Sequence, residues 1–174
     1  YLTGHADGSG NYHVHVNPVC LYTLDTSSHS PLLGFMFDGY PIYGPYGYSS
    51  ALDSTSAIKR ISSGYQLRSI TARTSLANGT VLSSSFYGPT INSTYPLGAY
   101  LEDYEWKSWV GDLDEYNGRW CVTPEYPSGT YAYFVTLDST GALAYPYTIG
   151  PYYFGTYTAN KNSASIPSTA TKFF

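Results

Sequence analysis

Histidine is the commonest metal ligand among side chains, and three of the chain's four histidines, His5, His13 and His15, fall in the short stretch GHADGSGNYHVHV. His13 and His15 stand at i and i+2, so on a strand both project from one face, about 7 Å apart at Cα. At that spacing two imidazoles can converge on one ion. The Gly8-Ser9-Gly10 segment supplies a turn that can return His5 as a third ligand, and Asp7 can act as a ligand or orient one through a hydrogen bond. Neutral imidazole suits copper or zinc. His29, ahead of Ser30-Pro31, is the remaining candidate for a set of four. No CxxC or HExxH signature accompanies these residues, and the same imidazoles can equally bond loop carbonyls and carboxylates.

A second concentration of chemistry is acidic. Glu102-Asp103-Tyr104-Glu105 is followed by Asp112-Leu113-Asp114-Glu115-Tyr116-Asn117-Gly118. Asp112, Asp114, Glu115 and Asn117 have the flavour of a calcium loop, but the EF-hand register is missed: Tyr116 takes the fifth position and glycine arrives one residue late. A solvated turn is the alternative. Asp103 and Glu105 could share a strand face as the acid pair of a glycosidase must share a cleft. No G-x-S-x-G elbow and no glycine-rich phosphate loop is present, and no catalytic residue is assigned. The two cysteines, Cys20 and Cys121, form an even count that one disulfide would satisfy. That bridge would close a loop of about a hundred residues, with a chain-entropy contribution of roughly 4–5 kcal/mol; two free thiols are the alternative.

The elements that must position these residues read mostly as strands. Tyr12–Val16 alternates, with His13 and His15 on the face opposite Tyr12, Val14 and Val16. Residues 33–37 form a short apolar run closed by the turn pair Asp38-Gly39, and residues 65–70 and 80–84 read as further strands. The clearest is TYAYFVTL, residues 130–137, rich in β-branched and aromatic side chains between turn signals. Helix candidates are few, residues 54–61 and 101–109. With 17 Gly and 11 Pro interrupting the chain, the expected fold is mainly β: one compact domain of short strands and long, ordered Gly/Pro/Tyr-rich loops, with little helix. YPIYGPYGY and YPYTIGPYYFG share a Gly-Pro turn chemistry between tyrosines. The domain is expected over 1–155. Residues 156–174 form a Ser/Thr/Ala-rich tail that can be ordered only by docking on its own domain or on a neighbour.

Composition bounds the function. Charged residues make up 11% of the 174 and aromatics 18%, with 21 tyrosines, so the chain should fold. A net charge of −4 with few Lys and Arg opposes nucleic-acid binding, and no apolar run is long enough to span a bilayer. Tyr1, in place of an initiator methionine, reads as the start of a processed product or a fragment. Asn78-Gly79-Thr80 and Asn92-Ser93-Thr94 are N-glycosylation sequons, which require a surface position in an exported protein. Together with the even cysteine count they point to an extracellular or cell-surface setting.

The segments GHADGSGNYHVHVNPVCL, HSPLLGFMFDGYPIYGPYGY, GAYLEDYEW, GDLDEYNGRWCVTPEYPSGTYAYFVT and AYPYTIGPYYFG, in that order from Gly4 to Gly155, resemble the YHYH-domain family. The resemblance implies export and a β-rich single domain, and it implies no reaction. The chain departs from the pattern where Val14 replaces the tyrosine between the two histidines. It departs again at Tyr116, where many relatives carry cysteine, and at Ala132, where histidine is frequent.

These readings converge on an extracellular structural or surface module that assembles with itself into an oligomer, fibre or layer. Its loops would be stabilised by a disulfide and by an ion, copper or zinc at the histidines or calcium at the acids. Tyrosine adds contact area at low entropy cost, so Tyr43, Tyr46, Tyr48, Tyr152, Tyr153, Phe173 and Phe174 are the expected interface. Two alternatives stay open: a secreted metal-dependent enzyme acting on polysaccharide or another wall polymer, and a glycan-binding module with tyrosine platforms.

Overall fold

The computed structural model describes residues 4–8, 10, 12–14 and 17–157. It is mainly β, as expected, with ten short strands among the described residues arranged in four small sheets. The centre is a four-stranded sheet of β3 (Leu32–Phe35), β4 (Pro41–Tyr43), β10 (Thr130–Phe134) and β9 (Gly118–Cys121), in that spatial order. Strand β10 lies antiparallel to β9 and parallel to β4, with Tyr133 opposite Ile42 and Phe134 opposite Tyr43.

The period of two along β10 divides the core. Ala132 and Phe134 pack with Tyr43, Ile61, Leu113 and Cys121 on one face. Tyr131, Tyr133 and Val135 pack with Ile42 and Leu137 on the other. Because both faces of the strand are covered, its residues 131–134 are all fully buried. Three of the tyrosines at 0% exposure keep their hydroxyls satisfied inside the core. Tyr43 Oη lies 2.9 Å from Thr123 Oγ1 and donates to Glu125 (2.9 Å). Tyr131 Oη donates to Asp114 (2.9 Å) and Tyr133 Oη to Asp38 (2.6 Å). A buried hydroxyl without a partner is costly, so each ring enters the core together with a polar group from a loop.

Around this centre stand three two-stranded sheets: β1 (Gly4–Ala6) with β2 (Tyr12–Val14), β5 (Tyr46–Tyr48) with β6 (Ile58–Arg60), and β7 (Tyr65–Leu67) with β8 (Tyr104–Trp106), all antiparallel. Both expected helices are absent. Over residues 54–61, Asp53 Oδ1 accepts the Thr55 amide (2.9 Å) and hydroxyl (2.6 Å), which closes a turn, and Ile58–Arg60 then pairs as β6. Over residues 101–109, one turn of 3-10 helix at Leu101–Asp103 runs into β8. Residues 80–84 form only a single bridge, Ser75 to Val81, ahead of a 3-10 turn at Ser84–Phe86. No helix among the described residues is long and apolar enough to cross a membrane.

The expected disulfide is not formed: Cys20 and Cys121 are both free thiols. Cys121 faces the first core cluster from β9 and is fully buried, whereas Cys20 lies exposed in a turn after Pro18. The tail beyond Tyr157, with Phe173 and Phe174, lies outside the described residues.

Candidate functional site

The hairpin β1–β2 brings His5 and His13 directly opposite each other, flanked by the pairs Gly4–Val14 and Ala6–Tyr12. The chain reverses where the Gly10 amide donates to Asp7 O (3.0 Å), with Gly10 at φ 84°. Gly4 is required by close approach: a Cβ there would stand 2.7 Å from His13 O and 2.8 Å from Tyr12 Oη. The two imidazoles are exposed and meet edge to face with ring centroids 4.5 Å apart, and His5 Nδ1 lies 2.8 Å from Ala6 O. The return of His5 to the neighbourhood of His13 is therefore as read from the sequence. Asp7 is exposed at the turn of the same hairpin, and His15 lies outside the described residues. Val14, on the opposite face, lines with Leu33, Phe35 and Ile42 an apolar groove of about 290 Å³ against the central sheet.

His29 takes no part in this pair. Its ring packs against Tyr43 and Tyr48, both at 5.0 Å between centroids, with Nδ1 2.8 Å from Ser30 O and a buried Nε2. Burial pushes its pKa down, so the packing role holds it neutral.

The acidic residues fasten loops. Asp112 bonds Lys59 Nζ (2.5 Å) and the amide and hydroxyl of Ser62 (3.0 and 2.8 Å). Burial alone would raise its carboxyl, but these bonds outweigh it and hold the pKa below the usual range. Asp114 accepts the amides of Tyr116 (3.0 Å) and Gly118 (3.1 Å) besides the Tyr131 hydroxyl. Asn117, buried at φ 64°, donates to Phe134 O and Thr148 O, and Glu115 points to solvent. Among the described residues no group of three or more His, Cys, Asp or Glu could hold a metal ion; the calcium reading of Asp112, Asp114, Glu115 and Asn117 yields to loop fastening. Nor do Asp103 and Glu105 form an acid pair. Asp103 is fully buried, clamped at 2.7 Å by Arg73 Nε and Nη2 and by the amides of Gly98 and Tyr100, while Glu105 pairs with Lys107 (2.9 Å). The Arg73 hydrogen bonds hold the Asp103 carboxyl below its ordinary pKa.

The expected interface tyrosines divide. Tyr43 is fully buried in the middle of the central sheet and cannot serve as a surface contact. Tyr46, Tyr48 and Tyr153 are half-buried, and Tyr152 is 76% exposed. Tyr153 belongs to a surface aromatic group with Phe37, 82% exposed, and Tyr157, 51% exposed, at centroid distances of 6.3 Å (Phe37–Tyr153), 6.5 Å (Phe37–Tyr157) and 4.8 Å (Tyr153–Tyr157). The two sequon asparagines are exposed in turns. Asn78 Oδ1 accepts the Thr80 amide (3.0 Å), and Asn92 Oδ1 accepts those of Thr94 (2.9 Å) and Tyr95 (3.0 Å).

Sequence reasoning missed a cleft of about 500 Å³ whose walls include Tyr65, Glu102, Tyr104, Trp106, Glu115 and Tyr145. Tyr104 and Tyr145 stack at 4.0 Å between centroids, and Tyr65 meets Tyr145 edge to face at 5.2 Å. Three of the rings are anchored: Tyr65 Oη donates to Glu115 O (2.7 Å), Trp106 Nε1 to Leu113 O (3.1 Å) and Tyr104 Oη to Gly98 O (3.4 Å). A second cleft of about 390 Å³ shares Leu101, Glu102, Tyr104 and Tyr145 with the first. The only local signal was the alternation of Tyr104-Glu105-Trp106 on β8; the rest arrives from distant segments.

A family model described as YHYH protein matches residues 1–145 of the chain. No curated protein and no solved structure matches it.

Proposed function

The chain belongs to the YHYH protein family, and on that premise we propose that it is an extracellular structural module that self-associates through its aromatic exterior. The observation that carries this reading is the surface group of Phe37, Tyr153 and Tyr157, three rings in mutual contact of which Phe37 is 82% exposed. Single exposed apolar residues are ordinary, but a contiguous aromatic patch marks an interaction surface. Only 11% of residues are charged, so little repulsion opposes close approach of two copies. The long loops are fixed by Asp38, Asp103, Asp112 and Asp114, and a rigid surface loses less entropy on assembly. Export is supported by the exposed positions of Asn78 and Asn92. Sedimentation velocity over a wide concentration range tests the proposal. Wild-type protein should form larger species as concentration rises, and Phe37→Ser combined with Tyr157→Ser should remove them. A wild-type chain that stays monomeric at all concentrations sinks the reading.

A bound copper or zinc ion at His5 and His13, completed by His15, is the accompanying proposal, favoured by the 4.5 Å approach of the first two rings. Isothermal titration with each ion should give one site per chain in the wild type and none in a His5→Ala, His13→Ala variant. Equal uptake by the variant would remove the ligand role.

A further inference from the structure

We infer that the tyrosine cleft is a binding site for a saccharide bearing no acidic group, a function independent of self-association. Its chemistry is that of a sugar site. A pyranose ring presents apolar C–H faces that lie on aromatic faces, and hydroxyls at its rim that seek acceptors. Tyr65, Tyr104, Trp106 and Tyr145 provide the aromatic surface, and the carboxylates of Glu102 and Glu115 provide acceptors at its rim, while Glu105 is held by Lys107 and Gln66. Glu102 and Glu115 are exposed and form no ion pair with a described residue, so their oxygens are open to hydroxyl donors. The volume, about 500 Å³, lies within the ordinary range for small-molecule sites. The adjoining cleft of about 390 Å³, on a wall shared through Tyr104 and Tyr145, extends the surface to more than one sugar unit.

Charge sets the selectivity. No Lys, Arg or His is among the described residues lining either cleft, while three glutamates line the first. Lys107 offsets Glu105, but uronic acids and sulfated sugars would still meet Glu102 and Glu115, which form no ion pair with a described residue; neutral sugars and amino sugars would meet no like charge. The rings are also held in advance by the Tyr65, Tyr104 and Trp106 hydrogen bonds, which reduces the ordering cost of binding.

Two sources could supply such a ligand. Asn78 lines the first cleft and heads a sequon, so a glycan carried by the chain itself starts at the cleft wall. The other source is a free polysaccharide. Thr80→Ala removes the sequon and keeps Asn78. Protein secreted by a glycosylating host, with and without this change, is titrated with the hexasaccharides of cellulose, starch amylose, chitin and chitosan, and with hexagalacturonate, and intrinsic fluorescence and calorimetry are read. Binding of a neutral or amino sugar by both proteins identifies a free polysaccharide as occupant. Binding by the Thr80→Ala protein alone identifies the chain's own glycan. In either case Tyr145→Ala should weaken binding by about tenfold or more. Tyr152→Ser and Glu102→Gln, at exposed rim positions, should weaken it with the circular dichroism spectrum unchanged. Hexagalacturonate should not bind. The inference is overturned if neither protein binds any of the uncharged or amino sugars. It fails equally if hexagalacturonate binds best, or if the rim variants and Tyr145→Ala leave affinity unchanged.

Discussion

A phenol can enter a protein core only if its hydroxyl finds a partner there, and this chain meets that condition by pairing buried tyrosines with carboxylates from distant loops. Tyr133 donates to Asp38 and accepts the Phe154 amide, while Asp38 also takes the Gly155 amide. One hydroxyl therefore ties the loop after β3 to the segment at residues 154–155. Tyr133→Phe should destabilise by about 1.5–3 kcal/mol, the range for hydrogen bonds to charged groups, read as a lower urea midpoint at unchanged slope. Arg73 and Asp103 are 4% and 0% exposed, and removing the guanidinium alone strands a buried carboxylate. Arg73→Ala should cost about 3–5 kcal/mol. Because the Asp103 pKa in the folded chain lies below its unfolded value of about 3.9, the clamp contributes fully above that pH and is lost as the pH falls through the lower folded value. The stability gap between wild type and Arg73→Ala should therefore shrink in strongly acidic solution, as denaturant titrations below about pH 4 would report.

Among the elements, the turn from Asp114 to Gly118 delivers β9 to the central sheet. Asn117 takes the left-handed conformation there, and a Cβ on Gly118 would stand 2.4 Å from the Tyr131 hydroxyl oxygen. Gly118→Ala should cost roughly 1–3 kcal/mol through overpacking of that ring, seen as a lowered midpoint in thermal unfolding. The turn alternative for residues 112–118 and the strand at TYAYF were legible in the sequence because turn chemistry and β-branched, aromatic content are local properties. The facing of His5 and His13 was legible too, since Gly8 and Gly10 announce the reversal between them. The parallel pairing of β4 with β10 was not, for residues 41–43 and 130–134 share no local signal. Nor was the cleft, whose Tyr65, Tyr104 and Tyr145 come from three separated segments. The expected helix over residues 54–61 gives way because Ile58–Arg60 pairs with Tyr46–Tyr48, a long-range contact with no local signal. Tyr43 shows the converse limit: its Gly-Pro neighbourhood reads as surface, yet its strand is central.

At the scale of the whole molecule, the buried phenols set an upper pH limit. Burial, foremost, raises the pKa of Tyr43, Tyr65, Tyr131 and Tyr133 above the unfolded value of about 10. The folded chain then holds protons that the unfolded chain releases, so their contribution is intact below about pH 10 and is lost as the pH climbs beyond it. Tyrosinate absorbance should accordingly rise in two stages. Those four rings, with raised pKa, ionise last, together with loss of the near-ultraviolet circular dichroism. A single smooth titration of all tyrosines in a chain that stays folded would contradict this.

The central sheet, which sets an N-terminal strand pair beside a C-terminal one, also governs how the molecule could be divided. A cut in the exposed turn after Ser54 leaves β3 and β4 on one piece and β9 and β10 on the other, so neither fragment owns the complete central sheet. Each piece should be unstructured alone and regain the native dichroism when the two are mixed, which would make this scaffold a natural reporter of proximity between whatever is fused to its halves.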